Sequence, residues 1–398
     1  MKKRILVLSE FTYLNNFIKK SEIIYDIHLV SELLSKKYDV YVIDSGIGDL
    51  TNIKNWENDY ANFTNVSRAF DNLSVLYKSE QYDQRFFFFN NYIKFFYFSF
   101  SRFLFVYKTF KEVKPDMVIS YSIFRLGLSG LFFSFLFRKK YYFRFIDMLV
   151  YFKKSFFLKA LGFFIEFIIL NLSDKIFVLS KDYQRYVRSR CFNKSKVRII
   201  PFFCKASKSV NVIKDLSKNK KIKLVFVGVL YDYSGIYELI HAYNPEVFDK
   251  YKLQVNIYGD GPDLDRCLKL VKLRNLSNVF KFHGFCTFND IPRKIIKNDF
   301  CINTMLDQKE KSLIFNAKIV QYLANNRNVI SIHRGNINVS FPEKKSGVFY
   351  VKNHRDIFLK SLKLYNNKTH LNNKIPYDFY NKNFSPHAIE KSLLKLIQ

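Results

Sequence analysis

The chain has 398 residues, 48% of them apolar, five cysteines and a formal net charge of +31 at pH 7. At roughly 100–200 residues per domain, this length exceeds one ordinary core and predicts two. Cys191, Cys204, Cys267, Cys286 and Cys301 are scattered, with no Cys-x-x-Cys pair and no His/Cys ligand spacing. That pattern points away from a disulfide framework or a zinc site, and toward a reducing cytoplasm.

In chain order, Met1-Lys2-Lys3-Arg4 leads into Ile5 to Leu8, too short an apolar run for a signal peptide. A buried first strand, in a chain that is not exported, is expected. Arg4 to Leu8 and Asp39 to Ile43 read as strands around a helix from Ile24 to Leu34, where Ile24, Ile27, Val30, Leu33 and Leu34 recur at helical spacing. Met117 to Ser120, Tyr141 to Phe145, Ile176 to Leu179 and Val197 to Ile200 continue the strand series. A polar, basic join at Lys205 to Lys221 follows Pro201. Beyond it, Leu224 to Val227, Leu253 to Tyr258, Val279 to Phe282, Phe300 to Asn303 and Val329 to Ser331 read as a second series. Such alternation predicts an α/β protein with two Rossmann-like, doubly wound parallel sheets. The expected domains are 1–205 and 206–383, with a C-terminal helix at 384–398 that packs back on the first.

Charge is distributed unevenly. Residues 84–205 carry 23 Lys+Arg against 6 Asp+Glu, and the same block holds Phe86 to Phe89, Phe95 to Phe98, Phe132 to Phe137, Phe156, Phe157, Phe163 and Phe164. Basic residues mixed with large rings suit helices lying in a membrane interface, with an anionic surface as the partner. The competing reading is compositional, since the whole chain is rich in Phe, Tyr, Lys, Asn and Ile. A spanning helix needs about 20 apolar residues. Tyr92 to Tyr107 is broken by Lys94 and Arg102, and Phe156 to Leu172 contains Lys159 and Glu166. The expectation is therefore peripheral attachment, with 86–107 and 151–172 either touching the membrane or forming core helices. A basic, aromatic chain also suits single-stranded nucleic acid, but these phenylalanines occur in runs that read as buried.

The densest local signal is Gly228 to Tyr243, where the strand Leu224 to Val227 passes through a glycine-bounded loop into an amphipathic helix. Glycine permits close approach of backbone to ligand, and a helix start offers free N–H groups, so the arrangement suits a diphosphate. Downstream stand Gly259-Asp260-Gly261-Pro262, then Phe282-His283-Gly284, then Asn316-Ala317-Lys318-Ile319-Val320-Gln321-Tyr322-Leu323-Ala324 ahead of a strand. In this order the landmarks resemble those of a GT-B glycosyltransferase, and in the second half those of retaining glycosyltransferase family four.

The resemblance implies two lobes meeting at a cleft and a nucleotide-sugar donor held by the second. It implies donor contacts at Gly228, Tyr231, Ser234, Gly259, Gly261, Gly284, Asn316 and Gln321. Lys318, capped by Asn316, would neutralise the departing diphosphate, and Asp147, at the end of a strand, would orient or deprotonate the acceptor hydroxyl. Transfer would proceed with retention, without a metal or cofactor. Bland readings stand beside these: Gly259, Gly261 and Pro262 as architecture, with Pro262 in a helix's first turn; His283 as a loop histidine; Lys318 as a solvated lysine; Asp147 as a cap or a partner for Arg144. Glu10 and His28 are weaker candidates. Departures also count. Val229 and Ser234 stand where many members have Arg and Lys, and Gln321 and Leu313 near the places of two glutamates. Lys309 and Lys311 are possible substitutes for the lost cations. The activity expected is sugar transfer to a glycan or lipid-linked acceptor at the cytoplasmic membrane face, in cell-surface polysaccharide synthesis. A non-catalytic homologue partnering another transferase, and a nucleic-acid-binding protein, are the alternatives.

Overall fold

The computed structural model describes residues 2–9, 26–44, 66–70, 73–77, 91–123, 125–146, 156–206, 221–287, 290–307, 315–333, 335, 337–367 and 374–397. Two compact units divide the chain, Met1–Ile200 and Pro201–Gln398.

The first unit is built on an eight-stranded sheet: β1 (Arg4–Ser9), β2 (Asp39–Asp44), β3 (Val66–Phe70), β4 (Leu73–Tyr77), β5 (Met117–Ser120), β6 (Lys140–Phe145), β7 (Lys175–Val178) and β8 (Val197–Ile199). Their spatial order is β3-β4-β2-β1-β5-β6-β7-β8. Among the described strands only β3 runs antiparallel, against β4 at one edge. Strands such as β1 and β5 are continuous apolar runs because helices cover both faces of a parallel sheet. The helix expected from Ile24 spans Asp26–Ser35 in the described part.

One buried charge pair fastens this unit. Arg144, on β6, donates through Nε and Nη2 to the two carboxylate oxygens of Asp26, each at 2.8 Å, and through Nη1 to the carbonyl of Ile200. Tyr121 donates its phenolic hydrogen to the same carboxylate at 3.2 Å. Arg144 and Asp26 are both buried, so their mutual charge and fork geometry replace lost hydration. Beside that carboxylate, burial raises the Tyr121 phenol well above its ordinary range.

Among the described residues the second unit has six strands, all parallel: β9 (Ile222–Val227), β10 (Leu253–Tyr258), β11 (Phe280–Phe282), β12 (Phe300–Asn303), β13 (Val329–Ile332) and β14 (Val348–Val351). Their order is β11-β10-β9-β12-β13-β14. The chain moves outward from β9 to β11, then crosses back to lay β12 on the other flank of β9. That reversal creates a topological switch point between β9 and β12, the usual ligand site of such sheets. The core behind it joins Leu224, Phe226, Ile240, Val255 and Ile257 with a ring cluster of Tyr243, Phe248, Phe280 and Phe358. Helices Ile375–Asn383 and Pro386–Ile397 close this unit, and Tyr380 donates to the carbonyl of Cys204 at 2.6 Å. Four of the five thiols, Cys191, Cys204, Cys267 and Cys301, are buried, whereas Cys286 is partly exposed.

Candidate donor site

Three neighbouring strands, β9, β10 and β11, end in glycines whose backbones interlock. Gly228 donates to the carbonyl of Tyr258 at 3.0 Å, and Gly259 to that of Gly284 at 2.8 Å. Gly259 has φ +148°, and a Cβ there would lie 1.9 Å from the Gly228 oxygen. Only glycine meets both demands. The chain beyond is fastened in the same way: Leu230 donates to the Asp260 carbonyl and Asp263 to that of Leu230. The helix after this turn begins at Leu264, so Pro262 sits in the turn and not in the helical first turn that its sequence position suggested.

Lys318 reaches this loop from the other flank of the switch point. It is the second residue of the helix Ala317–Ala324, which follows β12. Its Nζ lies 3.0 Å from where a Gly228 Cβ would be, and 4.1 Å from the centroid of the Phe226 ring. One turn further along the helix, Tyr322 is fully buried, and its hydroxyl accepts the Val227 amide hydrogen at 3.0 Å. Burial pushes its phenol far up, so it stays neutral. Lys318 and Tyr322 share a helix face by their i, i+4 spacing, and the tyrosine pins that face to the last residue of β9. Tyr322 belongs to the sequence motif, yet no functional part was expected of it; its spacing from Lys318 was the available signal.

Below the loop, Thr304 donates to the Ser234 carbonyl at 2.6 Å, and His354 Nε2 lies 2.9 Å from the Thr304 carbonyl. Gly235, at φ +75°, starts the helix Ile236–Ala242 against that carbonyl. Burial lowers the His354 pKa below its ordinary value, opposed by the Thr304 carbonyl and Glu238.

The remaining expected residues fall as follows. Tyr231 is partly exposed and stacks on Tyr233, with centroids 5.1 Å apart. Ser234 is buried, with no hydrogen-bond partner for its Oγ. Val229 is half exposed beside the loop. Gly261 packs on Leu230, and Gly284, at φ +69°, faces open space. Gln321 is partly buried and its backbone carbonyl accepts from Asn325. Asn316 occupies the N-cap position, but its side chain makes no capping bond, which corrects that expectation. His283 stacks on Tyr258 at 4.4 Å and pairs with Asn256 at 3.0 Å, the contacts of a loop histidine. Arg144 takes Asp26 as its carboxylate partner. Asp147, Glu10, Lys309, Lys311 and Leu313 lie outside the described residues, as does the side chain of His28. Among the described residues, no group of three or more His, Cys, Asp and Glu side chains could hold a metal.

Two Rossmann-like units of this kind are those of the GT-B fold, and solved structures share the architecture. HepE of Anabaena, solved with UDP, superposes with a TM-score of 0.70 at 12% identity over 99% of each chain. Sucrose-phosphate synthase of Thermosynechococcus elongatus gives 0.72 at 13% identity, over 100% of this chain and 98% of the other. The lipopolysaccharide outer core galactosyltransferase WaaB gives 0.62 at 11% identity over 99% of each chain. By sequence, residues 221–367 match the family described as glycosyl transferases group 1. No curated protein sequence matches the chain.

Proposed function

We propose that the protein transfers a sugar from a nucleoside diphosphate donor to a glycan or lipid-linked acceptor at the cytoplasmic membrane face, in cell-surface polysaccharide synthesis. The placement of Lys318 against Gly228 at the switch point carries this reading. An ammonium there neutralises the diphosphate charge that grows as the sugar bond breaks, and the interlocked glycine turns let the phosphates approach the backbone. Retention of anomeric configuration and independence of metal complete the proposal, with the acceptor attacking the face the diphosphate leaves. HepE structures hold UDP and UDP-glucose, which makes UDP the first nucleotide to try. WaaB, a lipopolysaccharide galactosyltransferase by name, supports a lipid-linked acceptor.

Thermal unfolding with UDP, GDP, ADP and CMP, repeated on Lys318→Ala, tests the site. One nucleotide should raise the Tm of the parent protein, with most of that rise lost in the variant. Activity unaffected by EDTA is expected as well. Val229 and Ser234 favour a second reading, a non-catalytic homologue, because neither offers a cation to the phosphates. It predicts no rise for any of the four nucleotides.

A further inference from the structure

The helices Asn91–Val113, Arg125–Leu136 and Phe156–Leu172 carry the chain from β4 to β5, β5 to β6 and β6 to β7, always in the same direction across the sheet. Right-handed crossovers therefore set all three on one face of the first unit. The middle helix packs against both others. Its seam with the first is aromatic: Phe103 lies 4.6 Å from Phe133 and 5.6 Å from Phe132, and Phe110 lies 5.8 Å from Phe133.

Covering the sheet consumes only the inner side of this layer. On its outer side Phe100 and Leu104 are exposed at helical spacing, Phe135 is 87% exposed, and Phe157 and Phe164 are 73% and 63% exposed. Large rings in such numbers, spread over three adjoining helices, exceed what an ordinary soluble surface leaves to water.

Charge selects the occupant. The three helices contain two carboxylates: Glu112 at the last turn of the first, and Glu166, fully buried beneath the third, where it accepts from Tyr186. Lys108 and Lys111 are exposed on the first helix, and Lys111 Nζ lies 5.7 Å from the ring centroids of both Tyr107 and Phe137. An apolar body with ammonium groups beside its rings is the composition of an interfacial helix. A second copy of the chain would face the patch with the same positive charge. Nucleic acid would leave the exposed rings on successive helix turns mostly in water. Among the described residues no helix is long and apolar enough to cross a membrane.

We propose that this three-helix face docks the protein on a bilayer containing anionic lipid, with Phe135, Phe157 and Phe164 in the acyl boundary and Lys108 and Lys111 on the phosphates. The proposal rests on the membrane part of the reading above and requires nothing of the donor chemistry. Flotation of the full chain with phosphatidylcholine vesicles, with and without phosphatidylglycerol, tests it. The parent should float with the anionic vesicles and lose affinity as salt rises. Phe135→Ser with Phe164→Ser should weaken binding about tenfold per ring, leaving the Tm unchanged. K108Q with K111Q should flatten the salt dependence. In F135W, emission above that of the parent should be quenched by brominated lipid.

Failure of the parent to float, flotation of the ring variant equal to the parent's, or absence of quenching would each overturn the proposal. So would a lipid-free dimer that the ring variant dissociates, or an oligonucleotide held tightly by the parent and released by that variant. The nucleotide-dependent Tm shift, read on the same samples, reports the donor site separately. Its loss alone would end the donor reading and leave the docking face standing.

Discussion

Lys318 owes its position to Tyr322. Replacing Tyr322 with Phe leaves the buried Val227 amide without an acceptor, a change worth about 1–3 kcal/mol. Because the same bond fixes the helix face bearing Lys318, nucleotide affinity should fall along with stability. Urea unfolding and calorimetric titration of Tyr322→Phe check both, and a variant of undiminished stability would remove Tyr322 from the account. Gly259→Ala meets the Gly228 oxygen and a positive φ together, and should cost about 2–4 kcal/mol in the same unfolding measurement. At this scale the glycines and Lys318 were legible in the sequence, because turns and helix starts advertise themselves locally. The Arg144–Asp26 pair was not: 118 residues separate its members, and only the sheet brings them together.

Between elements, His354 links the start of the helix His354–Asn366 to the end of β12 through the Thr304 carbonyl. Its folded pKa lies below its ordinary value of 6.5, chiefly through burial. A depressed pKa means the folded state binds its proton less readily than the unfolded chain. Stability is therefore complete above about pH 6.5 and lost as pH falls through the lowered folded value. Denaturant midpoints across this range should fall toward acid in the parent, and less steeply in His354→Gln, which retains a donor for Thr304. Equal slopes would discharge His354 from the coupling. Strand reading succeeded for the central strands, where apolar runs such as Ile5 to Leu8 in β1 and Leu224 to Val227 in β9 carry the signal. It omitted β3 and β4, at one edge of the first sheet, and β14, at one edge of the second. An edge strand is covered less fully and needs fewer apolar residues, so Val66–Phe70, with Ser67 and Arg68, carries little signal.

For the whole molecule, two separate cores predict two separable unfolding units. A fragment 201–398 retains the hydrogen bond from Tyr380 to Cys204 and should unfold cooperatively. One beginning at 221 lacks that acceptor and should melt several degrees lower, by about 1 kcal/mol of lost hydrogen bonding. Scanning calorimetry of both fragments decides the matter, and coincident melting would exclude Cys204 as an anchor.

Four thiols are shut away, and burial pushes Cys204 and Cys267 up to about 12 and Cys301 higher still. Cys286 is the accessible one, two residues beyond Gly284 in the chain. A maleimide dye should therefore attach at one place without mutagenesis. From there its fluorescence would register a nucleotide arriving at the glycine turns, giving a direct optical record of occupancy.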